Sequence, residues 1–457
     1  MGLKGPRRNS IIMRLLLSML LVLIVQTSLL AGYTWYGGTI RELNNTSADL
    51  LRQTVLNRKG YLENEMFQRW SNLSNFEHDI QSAMELYLEK KEIDLSTLKR
   101  EPSLVVEFLE EIVNETIFSL RQRMATGAFV VIATEDGNEY PGIYIRDSDP
   151  LSNLADNSDL CMEVGPVEIA KSVGIPLSFG WSPGFSLSGG DDSTAPYLKP
   201  YNAALINSGS RISDFGYWSR PFKLNEYSLE AICYSVPLLD GEGRPYGVIG
   251  IDLTLDYLRR LLNYYEIADD NQGAYILAIA SETGSVFENI VSTGPAFNKY
   301  FGDSDRIALE RNTTHEDIFH MSTIDHSEPV YGCIQNLDIY HSNTIFDKDR
   351  WVLIGIVEEH NLFRPAREII LYVTVSICVS FIVGMVGVIL AGMWFVKPIV
   401  KLVDDVRNIN PERSVVLAKT NIAEIDDLAI SIETLSSKVA ESADKLSKII
   451  GMMKIPI

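Results

Sequence analysis

The sequence predicts an α+β protein: two apolar membrane helices bracket a helical stalk and two α/β lobes, and a helical bundle segment follows. Three observations carry this reading. Residues 15–36 and 369–395 are two long runs without charge. Between them, a helical period gives way to short strands that occur in two matched sets. After the second run, apolar residues return at three-four spacing.

The 457 residues suffice for two to three domains. A 46% hydrophobic and 22% charged composition is that of a chain able to build cores. The net charge of −20, with no basic stripe outside the membrane flanks, argues against nucleic acid as a partner. Cys161, Cys233, Cys333 and Cys378 have no CxxC spacing, so neither a zinc site nor a disulfide framework is expected. Three unpaired outer thiols are the simplest expectation, with one bridge among them as the alternative. No cofactor is implied.

The first span, 15–36, follows Lys4, Arg7, Arg8 and Arg14 and closes on Tyr33, Trp35 and Tyr36. Its length and the lack of a small-residue cleavage site favour an uncleaved anchor over a signal peptide. The second span, 369–395, carries Gly384, Gly387 and Gly392, residues suited to close helix packing in lipid. Lys397, Lys401 and Arg407 follow it. The positive-inside rule then places residues 1–14 and the segment after 395 in the cytoplasm, and 37–368 outside. Arg364 and Arg367 at the outer end oppose this, but long domains translocate largely regardless of charge.

Residues 40–124 read as one long stalk helix. Leu62, Met66, Leu73, Phe76, Ile80 and Met84 form a single apolar stripe, and no proline interrupts 38–100. Strands follow. Gly127-Ala-Phe-Val-Val-Ile-Ala-Thr-Glu-Asp-Gly137 is echoed by Gly273-Ala-Tyr-Ile-Leu-Ala-Ile-Ala-Ser-Glu-Thr-Gly284. Downstream, Tyr246-Gly-Val-Ile-Gly-Ile-Asp252 is echoed by Trp351-Val-Leu-Ile-Gly-Ile-Val357. Two matched pairs in the same order predict a duplication, with lobes at 125–262 and 270–362.

This layout resembles the double Cache sensors of bacterial receptors, in which a stalk helix carries two PAS-like lobes between two spans. The resemblance covers about residues 40–365 and is most specific at Gly127-Ala-Phe-Val-Val, Gly142-Ile-Tyr-Ile-Arg-Asp147, Gly216-Tyr-Trp-Ser-Arg-Pro-Phe222 and Tyr234-Ser-Val-Pro-Leu through Asp252. It implies a small-molecule ligand in the membrane-distal lobe, the first one. Aromatic walls and a carboxylate suit a ligand amine, which singles out Tyr217, Trp218, Tyr234 and Asp252, with Arg220 for an anionic end. The alternatives are core packing for the aromatics and a helix N-cap role for Asp252. Amino-acid-binding members carry Arg-x-Trp-Tyr; here Gly216 precedes Tyr217-Trp218, so that carboxylate grip is missing. An amine, a purine-like base or another small metabolite stays open. In the second lobe Glu358 and Glu359 stand in place of the aspartate. His315, His320 and His326, with Glu316, Asp317 and Asp325, read as a solvated loop rather than a metal site.

Past the second span, Ile399, Leu402, Val406 and Ile409 form one seam, and Ile425, Leu428, Ile432, Leu435 and Val439 form another. Residues 396–448 thus resemble a HAMP linker, with Pro398 and Glu424 where that family places its proline and glutamate. Such helices imply a parallel homodimeric four-helix bundle. No catalytic motif is present, so no enzyme activity is expected of this chain. Residues 449–457 read as the start of an output segment, such as a diguanylate cyclase or histidine kinase, or the relay acts on a partner.

Overall fold

The computed structural model describes residues 11–135, 140–151, 157–187, 194–207, 211–268, 272–282, 284–302, 304, 306–308, 318–321, 330–340, 343–346, 349–407, 416–417 and 423–453. The chain divides into two compact units, Met1–Asn44 with Ala366–Ile457, and Asn45–Pro365.

The first unit is helical. Helix α1 (Ile11–Tyr36) and helix α11 (Arg364–Arg407) are long and apolar enough to cross a membrane. They meet where Gly384 faces Leu23: a Cβ at 384 would fall 2.7 Å from the leucine side chain. Helix α11 runs on past 395 through Pro398 to Arg407, so the apolar run and the segment after it form one unbroken helix. Helix α12 (Ala423–Met453) begins one residue before Glu424. Leu402, Leu417 and Ala429 form a small core with Val406, Ile425 and Ile432. The Leu417 amide donates to the Glu433 carboxylate.

The second unit opens with a helical layer. The expected single stalk helix is instead four helices, α2 (Thr39–Asn64), α3 (Ser74–Lys91), α4 (Leu95–Arg100) and α5 (Pro102–Arg123). The first break is a π-turn over Glu65–Trp70, closed by the Ser71 amide donating to the Met66 carbonyl at 2.9 Å. The far end of α5 holds that break. Trp70 Nε1 donates to the Arg123 carbonyl (3.1 Å), and the Arg123 guanidinium donates to the Asn72 carbonyl (2.7 Å). At the second break Glu92 adopts φ 53°, Asp94 accepts from the Thr97 amide and Pro102 starts α5. The apolar stripe continues across the first break: Leu62, Met66, Leu73, Phe76, Ile80 and Met84 are all in the core.

The distal lobe is a seven-stranded sheet in the order β4-β3-β2-β1-β7-β6-β5. Its strands are β1 (Gly127–Ile132), β2 (Gly142–Asp147), β3 (Leu160–Val164), β4 (Leu177–Ser182), β5 (Tyr217–Trp218), β6 (Ala231–Leu239) and β7 (Pro245–Thr254). Helices α6 (Val167–Ser172) and α7 (Ala195–Ile206) lie between β3 and β5, and α8 (Leu255–Leu261) follows β7.

The proximal lobe is a six-stranded sheet in the order β10-β9-β8-β13-β12-β11. It comprises β8 (Gly273–Ala280), β9 (Val286–Thr293), β10 (Arg306–Ala308), β11 (Ile318–Met321), β12 (Val330–Asn336) and β13 (Arg350–Glu358). Helix α9 (Pro295–Phe301) follows β9, and α10 (Glu359–Leu362) follows β13. The central order β2-β1-β7-β6 recurs as β9-β8-β13-β12. Register agrees residue for residue: Gly127 pairs with Asp252 and Phe129 with Gly250, while Gly273 pairs with Val357 and Tyr275 with Gly355. The counterpart of Asp252 is therefore Val357, one residue before the expected Glu358 and Glu359. His315, Glu316, Asp317, Asp325 and His326 lie outside the described residues.

Candidate functional site

A strand turns alternate side chains to opposite faces, and this alternation divides the predicted site. Trp218 and Tyr234 face the helical layer, with ring centroids 5.2 Å apart. Asp252 faces the other way, among Phe129, Tyr144, Tyr197 and Cys233. Tyr217 is also turned toward α7, where Lys199 Nζ donates to its hydroxyl at 2.7 Å. Arg220 leaves the distal lobe altogether. Its guanidinium reaches Glu288 (2.6 Å) and Asp349 (3.5 Å) of the proximal lobe. Tyr340 of that lobe accepts from the Trp218 amide (3.3 Å), and Phe346 packs 5.0 Å from Tyr217. The Tyr217–Arg220 stretch thus forms an interlobe clamp.

Asp252 has no exposed surface. Thr126 Oγ1 donates to it at 2.6 Å, Tyr144 Oη donates to it, and the Arg146 guanidinium sits 3.0 Å away. Arg146 also pairs with Glu163, whose second oxygen accepts from Ser228 at 2.8 Å. Gly127 makes room for the aspartate: a Cβ there would fall 2.6 Å from its oxygen. The N-cap of α8 is Thr254, which accepts from the Tyr257 amide, so Asp252 is not spent on capping.

Burial works against the Arg146 charge, but Asp252, Tyr144 and Glu163 around it hold its pKa well above the ordinary value. Burial, and then the Asp252 charge, push the Tyr144 hydroxyl up, so it stays a donor. Two carboxylates and one guanidinium leave a formal charge of −1 in a site where each side chain is at most 6% exposed. A buried uncompensated charge is costly, and a ligand cation is one way to neutralise it. The aromatic cover comes from α7 and the segment before it. Tyr197 lies 4.9 Å from Phe129 and 5.0 Å from Phe185. Its buried hydroxyl has no hydrogen-bond partner among the described residues.

Arg146, Tyr144, Glu163 and Tyr197 are the members that the sequence reading missed. The signal for two of them lay in Gly142-Ile-Tyr-Ile-Arg-Asp147: Tyr144 and Arg146 share one face of a strand whose other face is isoleucine. Among the described residues no group of His, Cys, Asp and Glu is arranged to hold a metal ion.

The sequence matches no protein-family model and no curated protein. Solved structures similar to it include the periplasmic sensory domain of the Campylobacter jejuni chemoreceptor Tlp1, at 12% identity over 69% of this chain and 96% of that one, with a TM-score of 0.40. The ligand-binding domain of the Pseudomonas fluorescens chemoreceptor CtaA, in complex with L-leucine, is similar at 13% identity over 71% and 97%, with a TM-score of 0.32. The ligand-binding domain of Mlp24 with asparagine is similar at 12% identity over 72% and 98%, with a TM-score of 0.37.

Proposed function

We propose that this chain is a membrane receptor that senses an extracytoplasmic small molecule in its distal lobe and relays the event through HAMP-like helices. Helices α1 and α11 supply the two spans, residues 37–368 lie outside, and both termini lie in the cytoplasm. The observation that carries the ligand half is the buried Asp252–Arg146–Glu163 constellation. Its proximal counterpart is apolar at Val357, so the fold does not need it. The ligand class it suits is an amine-bearing metabolite whose cation offsets the residual negative charge.

The relay half is supported by the seam between α11 and α12. Within one chain only part of it is buried. Leu428, Leu435, Val439 and Leu446 remain about half exposed or more, from 48% to 65%. A second copy, packed as a parallel homodimer, would cover them. The output, through a partner or through a diguanylate cyclase or histidine kinase further along the chain, uses the same relay. Binding shifts the receptor only as far as the ligand discriminates between its two states.

The test is calorimetry of the whole chain in lipid nanodiscs against amine-bearing metabolites. A bound amine should lose about tenfold or more in affinity in Asp252→Asn. Trp218→Phe, on the opposite face, should bind as wild type. The reverse pattern, with Trp218 critical and Asp252 dispensable, overturns the site.

A further inference from the structure

A second cavity lies on the other side of the distal sheet, where the stalk breaks. It encloses about 440 Å³ between the π-turn, the start of α3, strand β6 and the short 3₁₀ turn at Ile212–Phe215. That is within the size range of small-molecule sites. Phe67, Gln68 and Glu77 line it from the stalk, and Arg211, Ser213 and Tyr234 from the lobe.

Glu77 Oε1, on a residue that lines this cleft, is buried and lacks a hydrogen-bond partner among the described residues; the buried Tyr246 hydroxyl, outside the lining, lacks one too. Tyr246 is 1% exposed. The two groups sense each other: burial first, and then the Glu77 charge, raise the Tyr246 pKa. A buried acceptor without a donor is destabilising relative to a satisfied one. A folded protein leaves few such atoms, and one of them, Glu77 Oε1, is on a residue of the cleft wall. The π-turn is a third observation, since such turns inside helices are frequent at functional sites. This one is held by the Arg123 and Trp70 clamp, by the Arg69–Glu65 ion pair and by the Ser71 hydroxyl on the Phe67 carbonyl, and it opens its other side to the cleft.

We propose that this cleft is a second ligand site, for a small primary amine whose N–H donors bind Glu77 and whose carbon chain lies against Phe67 and Tyr234. Glu77 asks for a donor as well as a positive charge. A quaternary ammonium supplies the charge without the donor, so the site prefers primary amines. Its place matters for signalling. A ligand here touches the irregular turn that ends α2, the stalk helix leading from the first span, and leaves the Asp252 face untouched.

The test titrates the whole chain in nanodiscs with ethanolamine and putrescine, using choline and ethanol as controls. Calorimetry is followed together with the fluorescence of Trp70 and Trp218. Saturable binding of a primary amine, at least about tenfold tighter than choline, is expected. Glu77→Gln should weaken it about tenfold or more, and Asp252→Asn should change it less than about twofold. Ser213→Trp, a rim substitution that fills the cleft, should abolish it and serves if Glu77→Gln does not fold. No saturable amine binding, binding that survives Ser213→Trp, or binding lost through Asp252→Asn alone overturns the proposal.

Discussion

The two lobes share a strand order and a register, but they treat equivalent faces differently. In the distal lobe the face that carries Gly250 and Asp252 meets Phe129 and is covered by α7 with its tyrosine. In the proximal lobe the equivalent face, carrying Gly355 and Val357, lies against Val55 of the stalk and Ile267. Tyr144 of the distal site corresponds to Thr293, because each lies opposite the matching aromatic, Phe129 or Tyr275. On this face one copy keeps buried charges beneath α7, whereas the proximal lobe's buried carboxylate, Glu358, lies on the opposite face and pairs with Lys299 of α9. The other copy has become a seat for the stalk. The two sheets share a four-strand core in one register, and what covers that core differs between them.

The largest expected effect comes from moving the charge into the wrong lobe. Val357 is 1% exposed. Val357→Asp would bury a carboxylate facing the stalk, where Arg58 is already bound to Glu266 and to the Leu261 carbonyl. The cost should be about 3 kcal/mol or more, or the variant should not fold at all. Chemical denaturation of wild type and variant measures it. A loss under about 1 kcal/mol would show that the proximal face is as permissive as the distal one, and the contrast would collapse.

A smaller effect concerns the distal lobe alone. Asp147, beside Arg146 in β2, is 2% exposed, and burial pushes its carboxyl up to about 6. Its folded pKa therefore exceeds its unfolded value, near 4. The folded state then holds the proton more tightly than the unfolded state. That favours folding below about pH 4, and the advantage fades as pH rises from about 4 to about 6. The difference amounts to about 3 kcal/mol at neutral pH. Asp147→Asn should remove this slope and be the more stable protein at pH 7 by about that much. Melting curves of both proteins at pH 4 and pH 7 decide the matter, and parallel curves would remove Asp147 from the account.

Much of this contrast was legible in the sequence, and the rest was hidden for definite reasons. The paired Gly-Ala strands and the paired Ile-Gly-Ile strands are apolar at matching positions, so the two matched strand pairs could be read directly. The faces could also have been read. Tyr217 and Trp218 are adjacent in a strand and must point apart, yet an aromatic pair reads as one cluster when only composition is weighed. Arg146 escaped because its partners, Asp252 and Glu163, are 106 and 17 residues away; only the strand order brings them together. The first stalk break escaped because the apolar stripe carries on across it. The second had local signals, the cap Asp94 and the helix-starting Pro102, that the stripe reading passed over.

The smallest effect on stability tests whether the two lobes act as one. Arg220 is the charged link, and its partners Glu288 and Asp349 are about as exposed as it is, at 37% and 26% against 34%. Ion pairs in such surroundings contribute about 0–1 kcal/mol, so Arg220→Gln should lower overall stability by less than about 1 kcal/mol. Its effect on cooperativity should be larger than its effect on stability. The apolar part of the clamp, Tyr217 against Phe346, remains, along with the Tyr340 hydrogen bond to Trp218. If the clamp carries the distal event to the proximal lobe, Arg220→Gln should widen the single unfolding transition, or split it, while ligand affinity at the Asp252 face holds within about twofold. A sharp single transition together with weakened binding would instead return Arg220 to the ligand site, as the anion-binding residue that the sequence first suggested.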